Sequence, residues 1–141
     1  MEEIIIIDYN SSYFNEVNQF WQNNGLGGAY RGDTPDIIEK TILAGGKLLL
    51  MLSANKVIGT SWITHDSRRS YIHHFGISAD FRRKGLGYKL MQATMEFVST
   101  LNYQVKLEVH NDNQDAISLY HKFGFSYLGD YIVLIKRDLN S

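Results

Sequence analysis

Six consecutive residues, Arg82-Arg83-Lys84-Gly85-Leu86-Gly87, have the types and spacing to hold an anion. An apolar, aromatic run from Tyr71 to Ile77 precedes them and an amphipathic pattern follows. That order reads as strand, glycine-rich turn, helix. Glycines at the mouth of a helix let the backbone approach a ligand closely. The first-turn N–H groups have no partner inside the helix. With the positive end of the helix dipole they make a site for phosphate or pyrophosphate, and the three cations strengthen it.

Two phosphate motifs do not fit. A P-loop needs Lys then Ser or Thr after its second glycine, and this chain has Tyr88-Lys89. The dinucleotide fingerprint needs a third glycine where Leu90 stands. Nor is there an obvious magnesium-binding acid beside the loop, which argues against ATP. A second stretch narrows the choice. Leu107-Glu108-Val109-His110-Asn111-Asp112-Asn113 runs into Gln114 to Tyr120, then Phe123-Gly124-Phe125. One of Asn111, Asp112 or Asn113 can cap a helix through its short polar side chain. Asn113, Ile117 and Tyr120 recur at helical spacing, and Gly124 suits the left-handed residue that ends a helix.

The R-x-x-G-x-G spacing of Arg82 to Gly87 resembles the CoA pyrophosphate loop of the GNAT superfamily of N-acyltransferases. The second stretch resembles that family's other hallmark: strand, Asn, short helix with a Tyr, then Gly-Phe. The motif-level likeness covers about residues 71–125. It implies acetyl-CoA as co-substrate, no metal, and direct acetyl transfer to a primary amine of a small molecule or peptide. By the same resemblance, backbone N–H groups from Arg83, Lys84, Gly85, Leu86 and Gly87 to Tyr88 bind the pyrophosphate, with charge from Arg82 and Lys84. The strand at Phe75, Gly76 and Ile77 bulges, pairs with the pantetheine arm and polarises the thioester oxygen. Asn113 and Tyr120 also face the cofactor, and Tyr120 is the acid that serves the leaving thiolate. A phenol with an ordinary pKa of about 10 is protonated at neutral pH.

The base has several claimants. Glu108 leads, because Leu-Glu-Val before the Asn motif resembles ribosomal-protein alanine acetyltransferases. Lys106, Glu108 and His110 also alternate as the polar row of an ordinary strand. His73 and His74 compete, since an imidazole titrates near neutrality. Alternation allows only one of them to face the cleft: His73 goes with Tyr71, Phe75 and Ile77, His74 with Ile72 and Gly76. A water chain is a further route. Substrate walls are expected at the 25–33 loop and the 65–70 turn, with Arg31, Asp33, His65, Asp66, Arg68 and Arg69. The competing function is a non-catalytic acyl-CoA-binding sensor or subunit. It shares the loop but has no use for an acid and a base.

The elements that must position these residues follow from the pattern. Ile4 to Tyr9 reads as a strand. Ser11 or Ser12 caps a helix carrying Phe14, Val17, Phe20 and Trp21. Thr34-Pro35 opens a second helix, stopped by Gly45-Gly46. Lys47 to Ser53, Lys56 to His65 and Arg68 or Arg69 to Ile77 are three strands that pair antiparallel. A helix runs from about Gly85 to Leu101, a strand from Gln104 to His110 and a helix over 113–123. Phe125 to Leu128 and Tyr131 to Arg137 are expected as a closing hairpin around Gly129-Asp130. The order is β-α-α-β-β-β-α-β-α-β-β: an α/β, GNAT-like fold with a mixed sheet, helices on both faces and a right-handed parallel crossover over 71–110.

Bulk properties set the frame. The 141 residues, 44% hydrophobic and 21% charged, suit a single domain over 1–141. A net charge of −1 gives no bulk attraction to nucleic acid or to a membrane surface. There is no cysteine, so disulfides and thiolate metal sites are excluded. Two acids before four isoleucines do not make a signal peptide. The expectation is a cytoplasmic protein, monomer or homodimer.

Overall fold

The computed structural model describes residues 3–140. Among these residues five strands form one sheet in the order β1-β2-β3-β4-β5: Ile4–Asp8, Lys47–Ser53, Lys56–His65, Arg69–Ile77 and Gln104–Leu107. The first four pair antiparallel, and β5 runs parallel to β4. The chain divides into two compact units, Met1–His110 and Asn111–Ser141.

The first unit holds the sheet and three helices. Helix α1 (Phe14–Asn23) follows a single 3-10 turn over Ser11–Tyr13, and α2 (Pro35–Leu43) follows the 25–33 loop. The residue that caps the first turn is Asn10, not Ser11 or Ser12: its Oδ1 accepts from Ser12 N at 3.0 Å. Thr34 caps α2 as its spacing predicts, accepting from Ile37 N at 3.3 Å. Helix α3 spans Leu86–Leu101.

Two adjacent side chains of β3 show how the helices are distributed. Thr60 accepts from the Trp21 indole of α1 at 3.0 Å, and the next residue, Ser61, accepts from Thr94 of α3 at 2.8 Å. Successive strand residues face opposite sides, so α1 and α3 cover opposite faces. On the α1 side Val17, Phe20, Trp21, Ile38, Leu48, Leu50 and Trp62 form a buried cluster. Trp21 and Trp62 stack there at 5.4 Å between centroids. Trp62 reaches past the stack to donate to Thr41 of α2 at 2.9 Å. Leu90, Met91 and Val98 bury the α3 side. The Glu16 carboxylate accepts from Val57 N, tying α1 to the start of β3.

The second unit holds helix α4 (Gln114–Lys122). Asn113 is its cap, accepting from Ala116 N at 3.2 Å. Gly124, at φ +89, ends it, with its N–H bonded to His121 O at 3.0 Å. The expected closing hairpin is not formed among the described residues. Gly129 and Asp130 take the positive φ of a two-residue hairpin turn, +71 and +54. The flanking residues make no ladder, and Tyr131 to Ile135 are 70–83% exposed. A two-stranded ribbon is marginal without an apolar face to lie on. The strand expected over Gln104 to His110 is also shorter, ending at Leu107.

Candidate active site

The glycine-rich loop leads into α3 as its residues predict. A single 3-10 turn over Ala79–Phe81 follows β4, and Arg82 continues in extended conformation. Arg83 and Gly85 take positive φ, +63 and +77. Helices α2 and α4 start on a side-chain cap, whereas α3 has none. Its first internal bond is Lys89 N to Gly85 O at 3.2 Å. The N–H groups of Leu86 and Gly87 are thus left without an intrahelical acceptor at the positive end of the helix. The space in front of Gly85 is open: a Cβ built there meets nothing within 4 Å. Arg82 and Lys84 have structural duties. The Arg82 Nε donates to Ile77 O at 3.0 Å, bracing the loop against the end of β4. The Lys84 ammonium lies 5.5 Å from the Phe81 ring centroid.

Strand β4 carries the irregularity expected near Phe75, Gly76 and Ile77, but one or two residues earlier. Against β3, Thr60 pairs with Gly76 while Trp62 pairs with His73, so β4 holds one extra residue there. His74, at φ +48, marks this bulge. Gly76 has a different use. A Cβ on it would come 3.0 Å from Leu26 Cδ1, so the glycine admits the 25–33 loop onto the strand.

The bulge overturns the expectation that only one histidine faces the cleft. His73 and His74 both lie edge-on to Trp62, at 6.1 and 5.5 Å between centroids, on the α1 and α2 side. Tyr71 stacks on His73 at 6.3 Å. Gly76, opposite Thr60, shares that side, whereas Ile72 and Ile77 are buried opposite Ile63 and Gly59 on the α3 side. Alternation fails because the extra residue at a bulge resets the phase of the strand.

His73 opens to solvent and bonds through Nε2 to Thr64 Oγ1 at 2.8 Å. Its pKa is lowered from the ordinary 6.5, chiefly by desolvation and then by the neighbouring His74. The carboxylates of Glu108 and Asp33 oppose that shift. Glu108 is exposed, one residue beyond the end of β5. Lys106 stands level with Tyr71 in the parallel ladder, so Glu108 continues on the side that carries His73. The fold therefore brings Glu108, His73 and His74 to one side of the sheet.

The residue whose role the sequence reading missed is Asp33. Its Oδ2 lies 2.8 Å from His74 Nε2 and also accepts from Gly28 N at 2.9 Å. Asp33 and His74 are 41 positions apart, so no local pattern announces the pair. Asp66 instead holds its own turn. It accepts from Arg68 N and Arg69 N at 2.9 and 2.7 Å, and these bonds keep its carboxyl below the usual carboxylate range. In the second unit, Tyr120 is buried, its ring 6.0 Å from Phe125. Desolvation pushes its pKa up to about 12. Among the described residues no cluster of three histidines or acids has the geometry to hold a metal.

Residues 14–125 match the acetyltransferase (GNAT) family model. The chain belongs to the GNAT family. Its relatives include the acetyltransferase SG1711 of Sodalis glossinidius, 24% identical over 125 residues, 88% of each chain. A probable spermine N(1)-acetyltransferase of Bacillus subtilis subsp. natto is 34% identical over 65 residues, 44% of this chain and 42% of that one. Among solved structures, a GNAT-family acetyltransferase from Streptococcus pneumoniae superposes with a TM-score of 0.78 at 20% identity, covering 90% of this chain and 87% of that one. As a GNAT protein the chain is an acetyl-CoA-dependent acetyltransferase. The family's mixed sheet with helices on both faces is the one described above.

Proposed function

We propose that this GNAT protein moves the acetyl group of acetyl-CoA directly to a primary amine of a small molecule or peptide. The uncapped start of α3 behind a left-handed Gly85 carries the reading. It leaves backbone donors and open space where the resemblance puts the CoA pyrophosphate. The relative named as a probable spermine N(1)-acetyltransferase supports an amine acceptor.

In this reading Arg83, Lys84, Gly85, Leu86, Gly87 and Tyr88 hold the pyrophosphate, and Arg82 braces them. A backbone N–H of Phe75, Gly76 or Ile77 polarises the thioester carbonyl. Asn113 serves by starting α4, which carries Tyr120. The amine nitrogen attacks the carbonyl carbon, the new C–N bond forms and the C–S bond breaks. An ordinary thiol has a pKa of about 8.5, well below that of the Tyr120 phenol, so complete proton transfer from Tyr120 is uphill. Tyr120 therefore acts by donating a hydrogen bond to the departing thiolate. The amine's proton goes to a group on the β4 side, where Glu108, His73 and His74 gather.

Substituting Gly87→Val, alone and with Gly85→Val, tests the loop. Calorimetric titration with CoA should show affinity reduced by at least about tenfold in a folded variant, the loss of one or two charge-assisted hydrogen bonds. Unchanged affinity in a folded double variant removes the loop from the site.

A further inference from the structure

We infer that Asp33 is a positioning residue for His74, and that the pair takes the proton from the substrate ammonium; this rests on the amine-acetylation reading above. The bulge residue of β4 is the starting point. A histidine at φ +48 occupies a backbone region that non-glycine residues rarely visit, so the surrounding structure must hold it there. Three elements do so. Thr60 of β3 donates through Oγ1 to His74 O at 2.6 Å. Trp21 of α1 and Trp62 of β3 set their rings against the imidazole at 4.8 and 5.5 Å between centroids, both steeply inclined to it. The 25–33 loop supplies the carboxylate at 2.8 Å. Both side chains are largely enclosed, 21% and 17% exposed, so solvent screens the interaction between them only weakly.

The bond to Asp33 decides which nitrogen is available. A carboxylate only accepts, so Nε2 carries the proton and the lone pair sits on Nδ1. Among the described residues Nδ1 makes no hydrogen bond. Asp33 also stabilises the imidazolium that forms when Nδ1 takes a proton. Gly27 makes the approach feasible: a Cβ on it would stand 2.5 Å from Asp33 Oδ2 and 2.6 Å from His74 Nε2. The other claimants lack this arrangement. The Nε2 of His73 is engaged by Thr64 rather than by an acid, and Glu108 is exposed beyond β5. Among the described residues, the charged and titratable groups around His74 are Asp33 from the loop and His73 from its own strand; Glu108 acts on His73, and α1 and β3 present Trp21, Trp62 and Thr60.

The step balances within the known co-substrate. An N–H bond of the ammonium breaks and its proton binds Nδ1. The freed nitrogen lone pair forms the C–N bond on the thioester carbon, the C–S pair leaves with CoA, and the second proton that the new amide nitrogen sheds goes to the CoA thiolate, giving a neutral amide and a CoA thiol.

Three variants test this: Asp33→Asn, His74→Gln and the double. An asparagine amide donates to Nε2 and so moves the imidazole proton to Nδ1, the wrong tautomer for a base. Each single variant should lose at least about tenfold in kcat/KM, toward the 10²–10⁴ typical of a general base. The acidic limb of the pH profile should vanish in His74→Gln. The double should be no worse than His74→Gln, because Asp33 acts through His74; additive losses would make Asp33 merely structural and overturn the inference. Wild-type rates and profiles in either single variant overturn it too. His74→Gln leaves the Asp33 bond to Gly28 in place, so it reports even if Asp33→Asn does not fold. The tautomer of the His74 imidazole, read by nitrogen NMR, tests the pair without any substrate. In a folded Asp33→Asn protein the ring proton should move from Nε2 to Nδ1, and an unchanged tautomer refutes the pairing. If the wild type acetylates no amine while that tautomer does change, it is the acetylation reading that fails.

Discussion

Two side chains show how environment, not residue type, sets what a titratable group does here. His73 has a pKa below the ordinary 6.5 because its surroundings disfavour the charged ring. The unfolded chain therefore binds a proton more readily than the folded one as pH falls below 6.5. Stability present above that value is lost as pH drops through the folded pKa. The melting temperature should decline between pH 7 and 5, and His73→Gln should flatten the decline; an identical slope removes His73 as a cause. Tyr120, pushed up to about 12, keeps its proton across the whole working range, so it can donate but cannot serve as a base. Tyr120→Phe should lower kcat by at least about tenfold with the amine's KM little changed, since a positioned donor contributes up to 10²–10⁴. A loss below about threefold leaves Tyr120 as a packing residue.

Helix starts and loops divide the work by what they leave unpaired. Thr34 and Asn113 satisfy the first turns of α2 and α4, while α3 opens on a glycine and leaves its donors for a ligand. The 25–33 loop works through close approach. Leu26 lies over Gly76, and Asp33 reaches His74 across the bare backbone of Gly27. Gly27→Ala should force the loop off β4, because its methyl group falls within 3 Å of both members of the pair and φ is +150. The expected result is a kcat/KM lowered by about tenfold or more with CoA affinity held within about twofold, as the pyrophosphate loop is a separate element. Equal activity would show that the loop tolerates displacement.

The whole molecule should declare its ligand through its stability. A ligand that binds only the native state adds about 2.7 kcal/mol at one hundred times its Kd, which for a chain of this length raises the melting temperature by about 5–10 °C. Acetyl-CoA should give this shift, and ATP with magnesium should give much less at equal concentration. Greater protection by ATP would replace the acyl-CoA reading with a nucleotide one. A panel of amines then separates an enzyme from an acyl-CoA-binding module: both are stabilised, and only the enzyme yields acetylated product. The exposed apolar run from Tyr131 to Ile135 belongs to the same scale, since exposed apolar surface of that kind bears on solubility.

Local chemistry is legible in the order of residues alone. Glycine spacing marks the start of α3, Thr34-Pro35 that of α2, and apolar runs between turn residues mark β2, β3 and β4 with their boundaries nearly to the residue. Each depends on neighbours in the chain, through caps, fixed φ angles and side-chain periodicity. Three features do not follow from such signals. The bulge at His74 depends on the register between β3 and β4, and it puts both histidines on one side where alternation allows one. The bond from Asp33 to His74 joins residues 41 positions apart. The final hairpin has its turn residues and an apolar run but no ladder. Strand pairing and long-range contacts are set by which surfaces meet after folding, and a one-residue slip changes every side chain's direction. The sequence thus determined the elements and the kind of chemistry; tertiary structure decided which imidazole meets a carboxylate.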